Sequence, residues 1–271
     1  MAQGLAHELF HEWNPRRLNR SEDERLYWFT EGVTDYYATI TLWRSGLWSL
    51  ERLLDDFNST ARRYFGSPSR NLAAERMVRQ RKADSNAERL PYLQGYLLAS
   101  HWNPDGHLDQ AMRNLRRSNR VPLSNRRIAD ALSAAGIADA RSEIERFVMQ
   151  GETIVLRSRI WGDCAAESKL EVGRFDIGFD REESQKTMTI SGVRHGSNAW
   201  QAGVRDGQRW AAMDVAWGDP GYPADLEVRD EQGTRRVKYL PAAPEAVYAP
   251  QYAATSVSSC VPGRRSTSPS R

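Results

Sequence analysis

Apolar residues recur at helical spacing through the first half of the chain and change to alternation in the second. Within Leu47 to Phe65, the residues Leu50, Leu53, Leu54 and Phe57 fall at i, i+3, i+4 and i+7, which places them on one helical face packed against a core. A first helix begins almost at Met1. Pro15 ends it, because proline has no amide hydrogen and disfavours helix at Asn14. A polar loop follows, and a second helix containing Trp28 to Tyr37 runs to about Ser45-Gly46. The stretch from Ser67 to Arg89 is polar, weakly periodic and read as a solvated face. Ser124 is placed to cap a helix from Arg126 to Ala135 ended by Gly136, and a last helix spans about Ala138 to Met149.

After a short connection the period becomes two. Phe175 to Phe179, Lys186 to Val193, Trp210 to Val215 and Leu226 to Tyr239 read as short strands separated by turn residues. From about Ala242 the chain is rich in Ala, Pro, Ser and Arg, a composition that predicts disorder. The expectation is an α+β protein: a mostly helical domain over 1–152, a linker over 153–166, a small β-rich domain over 167–241 and a disordered tail over 242–271.

The 271 residues, 40 % hydrophobic and 10 % aromatic, suffice for two modest cores. A net charge of +3 from 38 basic and 35 acidic residues is too balanced for a dedicated nucleic-acid binder, so no nucleic-acid partner is expected. No apolar run approaches the roughly eighteen residues of a membrane span and no charged-then-apolar leader opens the chain, so a soluble polypeptide is expected, cytoplasmic or periplasmic. Cys164 and Cys260 belong to no metal-type cluster. Two cysteines are sparse for a disulfide framework, which favours free thiols; the alternative is a staple across the ends of the second domain in an oxidising compartment.

The chemistry is concentrated in the first three dozen residues. His7-Glu8-Leu9-Phe10-His11 is an HExxH pattern, in which positions four apart share a helix face, so both imidazoles can reach one metal ion with Glu8 beside them. Nineteen residues separate His11 from Glu31, enough for a loop and the start of an antiparallel helix. A His, His, Glu set leaves the fourth position of one Zn²⁺ open, the pattern of a catalytic site. Asp35 lies one turn beyond Glu31, where it either accepts a hydrogen bond from a ligand histidine or faces solvent. His101 and His107 flank a turn, lack helical ligand spacing and read as structural or surface residues.

His7 to His11 followed by Glu12, Trp13 and Asn14 resembles the H-E-x-x-H-x-W-N metal helix of the glycyl aminopeptidase family of gluzincin metallopeptidases. Trp28 to Tyr37 is similar to that family's W-x-x-E-G-x-T-x-Y-Y segment. The resemblance implies a thermolysin-like catalytic subdomain, one zinc ion held by His7, His11 and Glu31, and removal of small amino-terminal residues such as glycine or alanine from a peptide substrate. Leu90-Pro91-Tyr92-Leu93-Gln94-Gly95 resembles the family's P-Y-x-K-G turn at a helix start, with Gln94 in place of lysine, and implies that Tyr92 stabilises the oxyanion. Glu8 is then the general base. Ile177-Gly178-Phe179 resembles the carboxylate-binding loop of PDZ domains, and Ser197 to Gln208 their short helix and following turn, implying a PDZ-like domain able to bind a peptide or protein ligand.

Family members carry a β-rich region and amine-holding residues before the metal helix, and these have no counterpart here. The expectation is therefore the carboxy-terminal part of a longer enzyme. Two further readings are a catalytically inactive PDZ-type scaffold and an endopeptidase.

Overall fold

The computed structural model describes residues 2–256 and Cys260. It is an α+β protein whose chain forms two compact units, one comprising the residues up to Thr60, 69–168 and from Gln251 on, the other 61–68 and 169–250. These boundaries differ from the expected 1–152, 153–166 and 167–241, because the chain enters the second unit twice.

The first unit is helical. Its elements are α1 (Ala2–His11), a π-helical turn (Trp28–Gly32) leading into α2 (Val33–Arg44), the first part of α3 (Leu50–Gly66), α4 (Ala74–Gln80), α5 (Ser85–Trp102), α6 (His107–Arg117), α7 (Asn125–Ala134) and α8 (Ala140–Glu143), which passes into a second π-helical turn (Ile144–Met149). Leu53, Leu54 and Phe57 of α3 are fully buried, as their spacing requires. Ser124 caps α7 by accepting from the Arg127 amide at 3.3 Å. The core is aromatic at its centre, where Trp28 and Trp102 meet edge to face with ring centroids 5.9 Å apart.

Two helical expectations need correction. The polar stretch from Ser67 to Arg89 contains α4 and the start of α5, because Asp84 accepts from the Asn86 amide at 2.8 Å and caps α5 there. Pro91 consequently lies inside α5, not at its start.

In the second unit β2 (Arg209–Asp214), β3 (Ala224–Asp230) and β4 (Gly233–Tyr239) form an antiparallel sheet in that order, with Leu226 opposite Val237 and a bulge between Trp210 and Ala212. The sheet covers a core of Ile177, Phe179, Ile190, Ala199, Val204, Leu226 and Val228. The run Leu226 to Tyr239, read as one strand, is a hairpin that turns at Glu231 and Gln232, where Gly233 has φ +116°. The strand expected over Lys186 to Val193 is absent. Asp180 instead accepts from the Glu183 amide at 3.0 Å and starts helix α9 (Arg181–Thr187), leaving only a bridge between Thr189 and Arg209. The short α10 (Asn198–Gln201) follows.

β1 (Ala165–Phe175) pairs with β5 (Ala242–Ala254) in a separate two-stranded sheet. This corrects the disordered tail over its described part: Val247 and Ala249 are buried around an exposed Tyr248, a period-two pattern hidden by the Ala- and Pro-rich composition. The rest of the expected tail, 257–259 and 261–271, lies outside the described residues.

Cys164 and Cys260 form a disulfide, so the expectation of free thiols is also corrected. The return of the chain brings them together: Thr255 donates from its amide to Cys164 O at 2.9 Å and from its hydroxyl to Asp163 O at 2.6 Å. The bridge closes a loop of 96 residues. By chain entropy such a loop is worth up to about 4.7 kcal/mol at 25 °C, so reduction should lower unfolding free energy by about 2–4 kcal/mol. Denaturant unfolding with and without reductant checks this; coincident curves would contradict it.

Among the described residues no helix is long and apolar enough to cross a membrane.

Candidate active site

α1 lies against α2 through aromatic contact: the Phe10 and Tyr37 rings stack at 4.7 Å with 10° between planes. The opposite side of α1 is open, with Leu5 and Leu9 exposed. Between these faces His7 and His11 point toward Glu31. Glu31 Oε2 is 3.4 Å from His7 Nε2 and 3.3 Å from His11 Nε2. One ligand atom from each of the three residues lies within 4.8 Å of the others, and all three side chains are half-buried. Glu8 is exposed on α1 next to His7.

Both imidazoles are oriented from behind. Asp35 Oδ1 accepts from His7 Nδ1 at 2.7 Å, and the Asn14 carbonyl accepts from His11 Nδ1 at 2.9 Å. A carbonyl can only accept, so His11 carries its proton on Nδ1 and keeps the Nε2 lone pair free. Asp35 favours the same tautomer in neutral His7. The Nε2 atoms of the two imidazoles, bare when the rings are neutral and supported from behind, and a Glu31 carboxylate oxygen form a donor set that suits a zinc ion.

Asn14 contributes more than the resemblance suggested. The residue is fully buried, and its side-chain amide donates to Phe29 O at 2.9 Å and Thr34 Oγ1 at 3.2 Å. Thr34 in turn donates to Thr30 O at 2.7 Å. One residue therefore orients His11 with its backbone and holds the π-helical turn carrying Glu31 with its side chain. The sequence signal was a polar residue wedged between Trp13 and Pro15 where a helix must end.

The electrostatics follow from this crowding. The Asp35 hydrogen bond, then that of Glu31, raise the His7 pKa to about 10 against the opposing effect of burial. Burial alone would raise Glu31, but its hydrogen bond to His7 and the charges of His11 and His7 outweigh that and hold it below the usual carboxylate range. Burial and the Glu31 and Asp35 carboxylates push the Tyr92 hydroxyl well above its ordinary value, keeping it a hydrogen-bond donor.

Tyr92 reaches the site from α5. Its ring stacks near His7 with centroids 6.5 Å apart, which brings its hydroxyl under the influence of the Glu31 carboxylate. A backbone-to-backbone crossing sets this approach. A Cβ on Gly32 would lie 2.6 Å from Gly95 Cα and 2.5 Å from Pro91 O, and one on Gly95 would lie 1.7 Å from Trp28 O. The contact needs glycine on both sides. Gln94, the departure from the resembled motif, donates to Phe147 O at 3.1 Å and is buried away from this chemistry.

His101 and His107 do not join the site. His101 pairs with Glu143 at 3.0 Å and accepts from the Arg157 amide at 2.9 Å, while the His107 ring lies under Gly136.

A helix presenting paired histidines, a turn presenting a glutamate and a third helix presenting a tyrosine thus converge on one candidate metal centre. Residues 1–97, about a third of the chain, match the family described as M61 glycyl aminopeptidase. In fold the chain is similar to the crystal structure of an aminopeptidase N family protein from Idiomarina loihiensis, with a TM-score of 0.57 and 15 % identity over 92 % of its own length. It covers 52 % of that protein, about half. No curated protein matches the chain in sequence.

Proposed function

We propose that the chain carries the active site of a zinc-dependent aminopeptidase that removes small amino-terminal residues, glycine or alanine, from peptides. The observation that carries this reading is the convergence of His7 Nε2, His11 Nε2 and a Glu31 oxygen, with both imidazoles oriented from behind. Bound there, zinc would polarise the scissile carbonyl and lower the pKa of water toward about 7. Glu8 accepts the proton of the attacking water and returns it to the leaving amine. Tyr92, kept protonated, donates to the carbonyl oxygen as negative charge builds on it. Preference for glycine or alanine rests on family likeness alone.

The direct test is release of glycine or alanine from a chromogenic amide, abolished by a chelator and restored by zinc. A zinc-loaded protein without such release would overturn the reading. No residue is assigned to the substrate's free amine, so cleavage of substrates with blocked amino termini would make it an endopeptidase. The PDZ-type scaffold reading draws less support. The Gly178 amide of the resembled loop already donates to Asp176 Oδ1 at 2.8 Å, and Arg194 pairs with the same carboxylate, so a ligand's terminal carboxylate would have to displace one already present. The disulfide favours an oxidising compartment such as the periplasm over the cytoplasm.

Metal and proton compete at His7. In the metal-free protein the raised pKa means that protonated His7 contributes stability fully present below about pH 6.5 and lost as pH rises through about 10. Zinc binding near pH 7 should therefore release about one proton from this histidine. Calorimetric titration in buffers of different ionisation enthalpy checks it; a binding enthalpy independent of buffer would contradict it.

A further inference from the structure

The stretch from Gln110 to Ala129 holds six arginines and no acidic residue, in a chain whose net charge is only +3. α6 buries Leu108, Ala111, Met112 and Leu115, which turns Arg113, Arg116 and Arg117 to its exposed side, and Arg120 is exposed in the turn that follows. Arg113 donates to the neutral oxygen of Gln110 at 2.8 Å. Arg116, Arg117 and Arg120 form no ion pair among the described residues, nor does the exposed Arg17.

These charges stand on a fixed surface. The Arg127 guanidinium donates to Leu18 O at 2.9 Å, Val121 O at 2.6 Å and Leu115 O at 2.6 Å, joining the segment that carries Arg17 to the end of α6 and its turn. Leu123 N donates to Asn19 O at 2.8 Å across the same junction. In this arginine surface Val121 is 62 % exposed and Pro122 is exposed beside it.

We propose that this face docks on an anionic phospholipid bilayer. Guanidinium groups pair with phosphate oxygens in two-pronged hydrogen bonds, and lysine is absent from the stretch. A nucleic acid would offer the same phosphates, but no phenylalanine, tyrosine or tryptophan lies between Asn103 and Arg146 for a base to stack on, and the His107 ring packs against Gly136. Val121 and Pro122 give an apolar tip suited to the headgroup boundary, where basic residues face anionic lipid. The proposed contact is peripheral in itself, made by exposed side chains of α6 and the turn after it.

Co-sedimentation of the whole protein with vesicles of phosphatidylglycerol and phosphatidylcholine, compared with phosphatidylcholine alone, tests the assignment. Binding should require the anionic lipid and be lost at about 1 M salt, where the screening length is about 3 Å. Each arginine neutralised should weaken binding about fivefold, so R116Q/R117Q/R120Q should lose about a hundredfold. The corresponding lysine replacements should retain most of the binding, and Val121→Ser should weaken it. All four positions are exposed, and an unchanged melting temperature in each variant verifies that the fold is intact. Equal binding to neutral vesicles, no binding to either, or binding to a single-stranded RNA oligonucleotide with none to vesicles would each overturn the proposal.

Discussion

Replacing Glu8 with glutamine should leave zinc affinity unchanged while turnover of a chromogenic glycyl amide falls about 10²–10⁴-fold. Glu8 sits between the two histidines on α1, yet makes no contact with Glu31 or Asp35 among those that hold them, so its loss removes nothing from the metal-binding set. Glutamine keeps the shape and the hydrogen-bonding reach of the side chain but cannot take up a proton at neutral pH. An unchanged turnover would refute the role given to Glu8. A parallel loss of zinc would show instead that Glu8 supports the ligands.

The second large effect is expected at Gly95. Alanine is the better helix former by about 1 kcal/mol, so propensity alone predicts a gain in stability for Gly95→Ala. Packing reverses the sign. The new methyl would lie 1.7 Å from Trp28 O and 2.7 Å from Gly32 Cα, both backbone atoms that cannot swing aside as a flexible side chain would. Overpacking of this kind costs about 3 kcal/mol at the upper end of its usual range, leaving a net loss of about 2 kcal/mol. The helices must part for it to fit. Tyr92 is one turn before Gly95, so its ring is drawn away from His7 and its hydroxyl from the site, and turnover should fall about 10²–10³-fold with the misplaced hydrogen-bond donor. Tyr92→Phe should reproduce the loss of turnover at far smaller cost in melting temperature. A Gly95→Ala protein as stable as its parent would mean that the crossing is looser than described.

What was legible in the sequence divides according to the range of the interaction. His7, Glu8 and His11 are set by helix geometry over four residues, and Asp35 by one turn from Glu31, so their relative placement can be read locally. Asn14 was visible only as part of a resemblance, because its partners Phe29 and Thr34 lie fifteen and twenty residues away. The Gly32 and Gly95 contact joins segments farther apart still, and nothing in either segment names the other. In the second unit, alternation at Lys186 to Val193 is outweighed by the Asp180 cap, a signal that is present in the sequence. β5 shows the reverse. Ala and Pro predicted disorder, yet a partner strand some seventy residues earlier pairs with it and packs Val172 against Val247 and Ala249. The same pairing explains why two isolated cysteines meet.

Anomalous diffraction at the zinc edge, from crystals of the zinc-loaded protein, tests the central claim most directly. The account predicts a single strong peak within about 2.0–2.2 Å of His7 Nε2, His11 Nε2 and a Glu31 carboxylate oxygen, with one coordination position not taken by protein. A peak elsewhere, or one at these residues that Glu31 does not touch, would contradict it.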